Sequence, residues 1–301
     1  MSPVRDNNVV ALFPGQGSLT TGAGEPWASL PSWEIVREIS EVTNVDVAHL
    51  LLTAEQDEVV RTDNAQLATY TLSLVGWYSY LEPHNLPEFF VGHSLGEFTA
   101  LVAAGVLDYT AGAHLVHARG RAMQRANEVN PGTMAALMGG DGDALSRLGE
   151  IENLWLANLN GEGQTVVSGS LDAIEELERR GKEIGWRRVT RLSVGGAFHS
   201  PLMAPAQRDL DNVLGATHFQ ETDASIFANV DGALHNGGAI WRTLLSRQLT
   251  EPVQFLRAVT AIPALATHTI EMPPGSILTG LMKRIRTFTE QRVAQPKEGQ
   301  L

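Results

Sequence analysis

The feature that most restricts how this 301-residue chain can fold is a five-residue turn, Gly92-His93-Ser94-Leu95-Gly96. It lies between the apolar run Phe89-Phe90-Val91 and an apolar helical stretch reaching Val106. A G-x-S-x-G turn needs a strand before it and a helix after it, and this one has both. Glycines on either side allow the sharp bend that lifts a serine hydroxyl out of a sheet. The N–H of Leu95 and the positive end of the new helix then lie where an oxyanion would form. Ser94 is therefore a candidate nucleophile.

The rest of the chain is read around that turn. Val9 to Phe13 is a short apolar run ending in Pro14-Gly15-Gln16-Gly17-Ser18, which predicts a buried strand and a functional loop. Asn64 is expected to cap a helix over 65–80, and Asp108 one that runs to about Asn127 and carries Arg119, Arg121 and Arg125. Pro131-Gly132 breaks the pattern. From there to Ser193 the order is β-α-β-β-α-β, the ferredoxin-like split unit. The expected architecture is α/β: an α/β-hydrolase-like large domain with a parallel sheet, formed by 1–131 and 195–301, and an inserted ferredoxin-like subdomain at 132–194. The polar tail from Ala294 is expected to fray.

Composition narrows the chemistry. With 43% hydrophobic and 19% charged residues the chain can bury a large core. It has no cysteine, which excludes disulfides, thiol nucleophiles and thiolate metal sites. A net charge of -12 disfavours nucleic acid as a partner. No apolar run is long enough to cross a membrane, and the first residues lack a secretory pattern, so a cytoplasmic protein is expected. A serine nucleophile needs a base, and nine histidines are available, His84 among them. His93 adjoins Ser94 but should point away from it at a sharp bend. His199, in Gly195-Gly196-Ala197-Phe198-His199-Ser200-Pro201, sits where small residues permit close approach to another loop.

Seven ordered motifs resemble one family. They are 13–18 (Phe13-Pro14-Gly15-Gln16-Gly17-Ser18), 92–97, Arg119-Gly120 with Met123-Gln124, 157–169 beginning Ala157-Asn158, 197–203, 248–254 and Leu278-Thr279-Gly280-Leu281. Together they resemble malonyl-CoA:acyl carrier protein transacylases and the acyltransferase domains of polyketide synthases. The resemblance implies Ser94 as nucleophile and His199 as its general base, oriented by the main-chain carbonyl of Gln248 in place of a carboxylate. It also implies an oxyanion hole made by the N–H groups of Gln16 and Leu95, and a malonyl carboxylate held by Arg119. A planar guanidinium fork suits a carboxylate. Phe198 would exclude an α-methyl branch, and His93 and Asn158 would contact substrate.

The implied partners are malonyl-CoA and an acyl carrier protein, acting on a monomer with no cofactor beyond the coenzyme A thioester substrate. A carrier protein is acidic, so docking needs a locally basic face, either Arg187-Arg188-Arg191 or Lys283-Arg284-Arg286. Two alternatives stay open on the residues alone. One is a free-standing polyketide acyltransferase for a different or branched acyl group. The other is a thioesterase of the α/β-hydrolase type, which would need a catalytic acid that is not evident. The loop Glu271-Met272-Pro273-Pro274-Gly275 departs from the family's usual pattern.

Overall fold

Two sheets organise the computed structural model, which describes residues 5–81, 85–161 and 163–296. His84 and the tail from 297 onward lie outside these described residues. The strands are β1 (Arg5–Phe13), β2 (Leu86–Gly92), β3 (Gly132–Gly140), β4 (Leu154–Gly161), β5 (Gln164–Ser170), β6 (Trp186–Arg191), β7 (Ser225–Phe227), β8 (Leu234–His235), β9 (His268–Glu271) and β10 (Glu290–Val293). The large sheet runs β10-β9-β1-β2-β7-β8. It is parallel except for β8. Its central strands read as unbroken apolar runs because both faces are covered. Successive residues of β1 enter opposite cores: Ala11 and Phe13 join one, Val10 and Leu12 the other.

The helix Thr62–Leu81 crosses the first of these cores. Trp77 packs edge-on against Phe13 and Phe90, with ring centroids 5.7 and 5.9 Å away. The predicted cap at Asn64 is incorrect. The helix begins at Thr62, and Asn64 lies in its first turn, donating from Nδ2 to the Glu58 carbonyl at 2.9 Å. Thr62, Asp63 and Asn64 are all competent capping residues, so periodicity alone cannot choose among them. The helix after the Ser94 turn ends at Ala103, short of Val106, because the chain turns at Gly105 with φ +83°. Asp108 does cap the helix Tyr109–Val129, its Oδ1 accepting the N–H groups of Thr110 and Ala111.

The second sheet is antiparallel in the order β4-β5-β3-β6. With the helices Ala144–Arg147 and Leu171–Arg180 it has the predicted ferredoxin-like order. One face packs its own small core, including Leu137, Leu148 and Ile174. The other contributes Met134, Ala157 and Val166 to the main core. β4 is also stitched to the large sheet's side of the molecule: Leu159 N–H donates to the Val253 carbonyl at 2.9 Å, and Val253 N–H to the Ala157 carbonyl at 2.8 Å. These bonds set the small sheet over the carboxyl ends of β1 and β2, where open α/β sheets bind their ligands.

The buried ring of Trp77 ties the central strands to this helix. Trp77→Ala is expected to lower unfolding free energy by about 3–5 kcal/mol in urea titrations. A loss below about 1 kcal/mol would contradict the packing described.

Candidate active site

The turn after β2 stores its strain on the serine. Ser94 has φ +53°, in the left-handed region, a conformation costing about 1–3 kcal/mol for a residue with a side chain. The flanking glycines serve close packing. A Cβ on Gly92 would lie 2.2 Å from the Glu97 nitrogen, and one on Gly96 1.9 Å from the Phe13 carbonyl oxygen. Asn229, just after β7, clamps the bend from outside. Its Oδ1 accepts the Ser94 N–H at 2.7 Å, and its Nδ2 donates to the Gly92 carbonyl at 2.8 Å.

His199 arrives from 105 residues further along the chain, with Nε2 at 2.8 Å from Ser94 Oγ. Its Nδ1 lies 2.7 Å from the main-chain carbonyl of Gln248. A carbonyl only accepts, so Nδ1 carries the proton and Nε2 is free to accept from the serine hydroxyl. Burial depresses the imidazole pKa to about 3, the Arg119 charge adds to the effect, and the Gln248 carbonyl opposes it. The ring is held neutral. His199 also has positive φ, +58°.

Arg119 is completely buried on the helix Tyr109–Val129. Its position depends on a close helix crossing, since a Cβ on the next residue, Gly120, would fall 2.9 Å from the Cα of Asp63. Arg119 Nη1 donates to Gln66 Oε1 at 2.6 Å. Nη2 donates to Gln248 Oε1 at 2.9 Å and to Ser94 Oγ at 3.2 Å. Its guanidinium carbon lies 5.4 Å from the centre of the Phe98 ring. Nε has no acceptor. Burial lowers the arginine pKa to about 9 against the pull of Glu97, which leaves it cationic at neutrality.

Glu97 completes the charged set. It is 1% exposed, and its oxygens accept the Asn229 N–H at 2.7 Å and the Gln248 Nε2–H at 2.5 Å. Burial raises its pKa to about 7, while those hydrogen bonds and Arg119 pull the other way. Gln248 Nε2 also donates to the Ser94 carbonyl at 2.8 Å.

A cavity of about 310 Å³ opens onto this cluster and is lined by Gln16, His93, Ser94, Asn158, Phe198 and His199 among others. The remaining predicted site residues, Leu95, Arg119 and Gln248, are buried beside it. His93 Nε2 lies 2.9 Å from Asn160 Oδ1, so its ring is engaged away from the serine hydroxyl. Asn158 borders the cavity, its Oδ1 without a partner among the described residues. Sequence reasoning missed Asn160, Gln66, Glu97 and Asn229. The period of two along β4 puts Asn160 on the same face as Asn158, a signal available in the sequence. A larger open apolar groove of about 680 Å³, between Trp186 and the helix Phe255–Ala261, contains neither Ser94 nor His199.

Comparisons with known proteins identify a family. An acyl transferase domain family model matches residues 11–297. A malonyl CoA-acyl carrier protein transacylase from Bacillus subtilis is 36% identical over 93% of this chain and 90% of its own length. The crystal structure of a malonyl-CoA:acyl carrier protein transacylase from Xanthomonas oryzae superposes with a TM-score of 0.92 at 33% identity, covering 97% of this chain and 96% of that one. A malonyl-transacylase solved in complex with a type II polyketide synthase acyl carrier protein superposes at 0.90 and 31% identity, covering 96% of each chain. The chain belongs to the acyl transferase domain family, in its malonyl-CoA:acyl carrier protein transacylase branch.

Proposed function

We propose that this protein transfers a malonyl group from coenzyme A to the phosphopantetheine thiol of an acyl carrier protein through an ester on Ser94. The observation that carries the reading is Arg119 Nη2 at 3.2 Å from Ser94 Oγ, beside an Nε that lacks an acceptor among the described residues. A malonyl ester places its free carboxylate one methylene beyond the acyl carbon. A fixed cation this close to the nucleophile therefore selects acyl groups that carry a carboxylate.

His199 Nε2 takes the hydroxyl proton as Ser94 Oγ attacks the thioester carbon. The N–H groups of Gln16 and Leu95 are the donors assigned to the oxyanion, each contributing roughly 3 kcal/mol to the transition state. Collapse of the tetrahedral species expels coenzyme A, with the proton passing from His199 to the thiolate. The carrier's thiol then attacks the ester, His199 accepts its proton, and Ser94 is regenerated in a ping-pong sequence. No step calls for a separate cofactor, and the work is assigned to the cytoplasm. Phe198 lines the same cavity and is assigned the exclusion of an α-methyl branch. A thioesterase is disfavoured because a carbonyl, not a carboxylate, faces His199 Nδ1.

For carrier docking the rim formed by Lys283 and Arg284 is favoured. Both lie in the last turn of the helix Ile277–Ile285. Ile277, Leu278 and Leu281 of that helix line the cavity, as does Gln164, to which Arg284 donates at 2.7 Å. Arg286 is committed elsewhere, to the carbonyls of Ile262, Pro263, Ala264 and Ala266. In the other candidate face, Arg191 is paired with Glu178.

Intact-protein mass spectrometry after mixing with malonyl-CoA and acetyl-CoA tests the assignment. A malonyl adduct should form on the wild type and vanish in Ser94→Ala. In Arg119→Ala, malonyl loading should fall about 10- to 100-fold while acetyl loading changes much less; unchanged malonyl preference would refute the carboxylate clamp. The neutral base has its own test. His199 gains a proton below about 6.5 in the unfolded chain but only near 3 when folded, so its contribution to stability falls as pH drops through that window. NMR of histidine-labelled protein, assigned with His199→Ala, should keep the His199 ring neutral down to pH ~5. A transition centred near its ordinary value would contradict this.

A further inference from the structure

We propose that Glu97 is a positioning residue for the acyl transfer, fixing Gln248 and Asn229 and, through them, His199, Arg119 and the backbone of Ser94. This rests on the reading of those three residues given above and adds a group that touches none of the reacting atoms.

The hydrogen bonds run outward from its two oxygens. Oε2 accepts from Gln248 Nε2 at 2.5 Å. The amide is thereby turned so that its Oε1 receives Arg119 Nη2 at 2.9 Å, while the same residue's main-chain carbonyl receives His199 Nδ1–H at 2.7 Å. Oε1 accepts the Asn229 N–H at 2.7 Å, and the Asn229 side chain spans the Ser94 N–H and the Gly92 carbonyl. An amide can face either way in a pocket. Here a carboxyl group whose two oxygens both face N–H donors at one end, and a donor-only guanidinium at the other, allow one orientation. Glu97 and Arg119 are not themselves paired among the described ion pairs; the Gln248 amide stands between the two buried groups.

This arrangement makes an isosteric substitution informative. In Glu97→Gln, one acceptor becomes an NH2 that must face either the Asn229 N–H or the Gln248 NH2. Flipping Gln248 to relieve the second clash would turn its NH2 onto Arg119. The first disturbs the Ser94 turn through Asn229 and the second disturbs Arg119 through Gln248, each with almost no change in volume. Glu97→Asp keeps the charge and the acceptors at shorter reach, so it should restore part of what is lost.

The experiment measures acyl-enzyme formation and turnover with malonyl-CoA and with acetyl-CoA for wild type, Glu97→Gln and Glu97→Asp, with circular dichroism and melting as controls. The expected result for Glu97→Gln is a fall in malonyl kcat/KM of about 10- to 100-fold and a malonyl-over-acetyl preference reduced about fivefold or more, with Glu97→Asp intermediate. A folded Glu97→Gln whose rate and preference stay within about twofold of wild type would overturn the proposal. So would equal losses for both substrates accompanied by a lower melting temperature, which mark a purely structural residue. If Glu97→Gln does not fold, wild-type rate and preference in Glu97→Asp overturn it equally. Failure of wild type itself to form a malonyl ester on Ser94 would overturn the proposed function as well, which separates the two failures.

Discussion

The hydrogen bonds of Gln248 hold the rest of the site in place. Its main-chain carbonyl fixes the proton on His199 Nδ1, and its side-chain amide binds Arg119, Glu97 and the Ser94 carbonyl. One residue thus sets the tautomer of the base, the aim of the cation and the turn that carries the nucleophile. Burying a charge is costly unless it is hydrogen-bonded. Arg119 and Glu97 meet that condition through a shared amide and two further acceptors or donors, Gln66 and the Asn229 N–H. The neutral imidazole follows from the same burial, reinforced by the neighbouring guanidinium.

The fold exists to bring these groups to one place. β2 delivers Ser94, the helix Tyr109–Val129 delivers Arg119, and the helix Ile240–Gln248 ends on Gln248. The antiparallel sheet closes the cavity from above, since β4 bonds to Val253 only five residues beyond Gln248. The Ser168 hydroxyl also donates to the Phe198 carbonyl, next to His199. Sheet, insert and the loop carrying the base are therefore braced against each other by hydrogen bonds, which leaves little freedom for the reacting atoms to separate.

Much of this was legible in the sequence, and unevenly so. Ser94 is marked by local rules, because the strand, turn and helix around it are contiguous. The alternation from Gly132 onward likewise gave the ferredoxin-like unit. Spacing could not settle His199 or Gln248, since they are brought in by contacts over a hundred residues long; small neighbours made His199 a candidate, and only the family resemblance gave it the base's role and pointed to Gln248. The missed residues are buried polar groups whose partners are distant. Gln66 is one such group, at 0% exposure on a helix buried nearly all round, and an amide beside a long apolar segment is itself a signal of a partner. Asn229 carries no such mark in its neighbourhood. The helix start at Thr62 was missed because three capping residues stand in a row.

The most direct measurement is a crystal structure of the acyl-enzyme trapped by brief exposure to malonyl-CoA. The expected result is continuous density for a malonyl ester on Ser94 Oγ with its carboxylate bonded to the Arg119 guanidinium and His199 still donating to the Gln248 carbonyl. An acyl group on Ser94 whose carboxylate points into solvent, away from Arg119, would contradict the arrangement on which substrate choice is built.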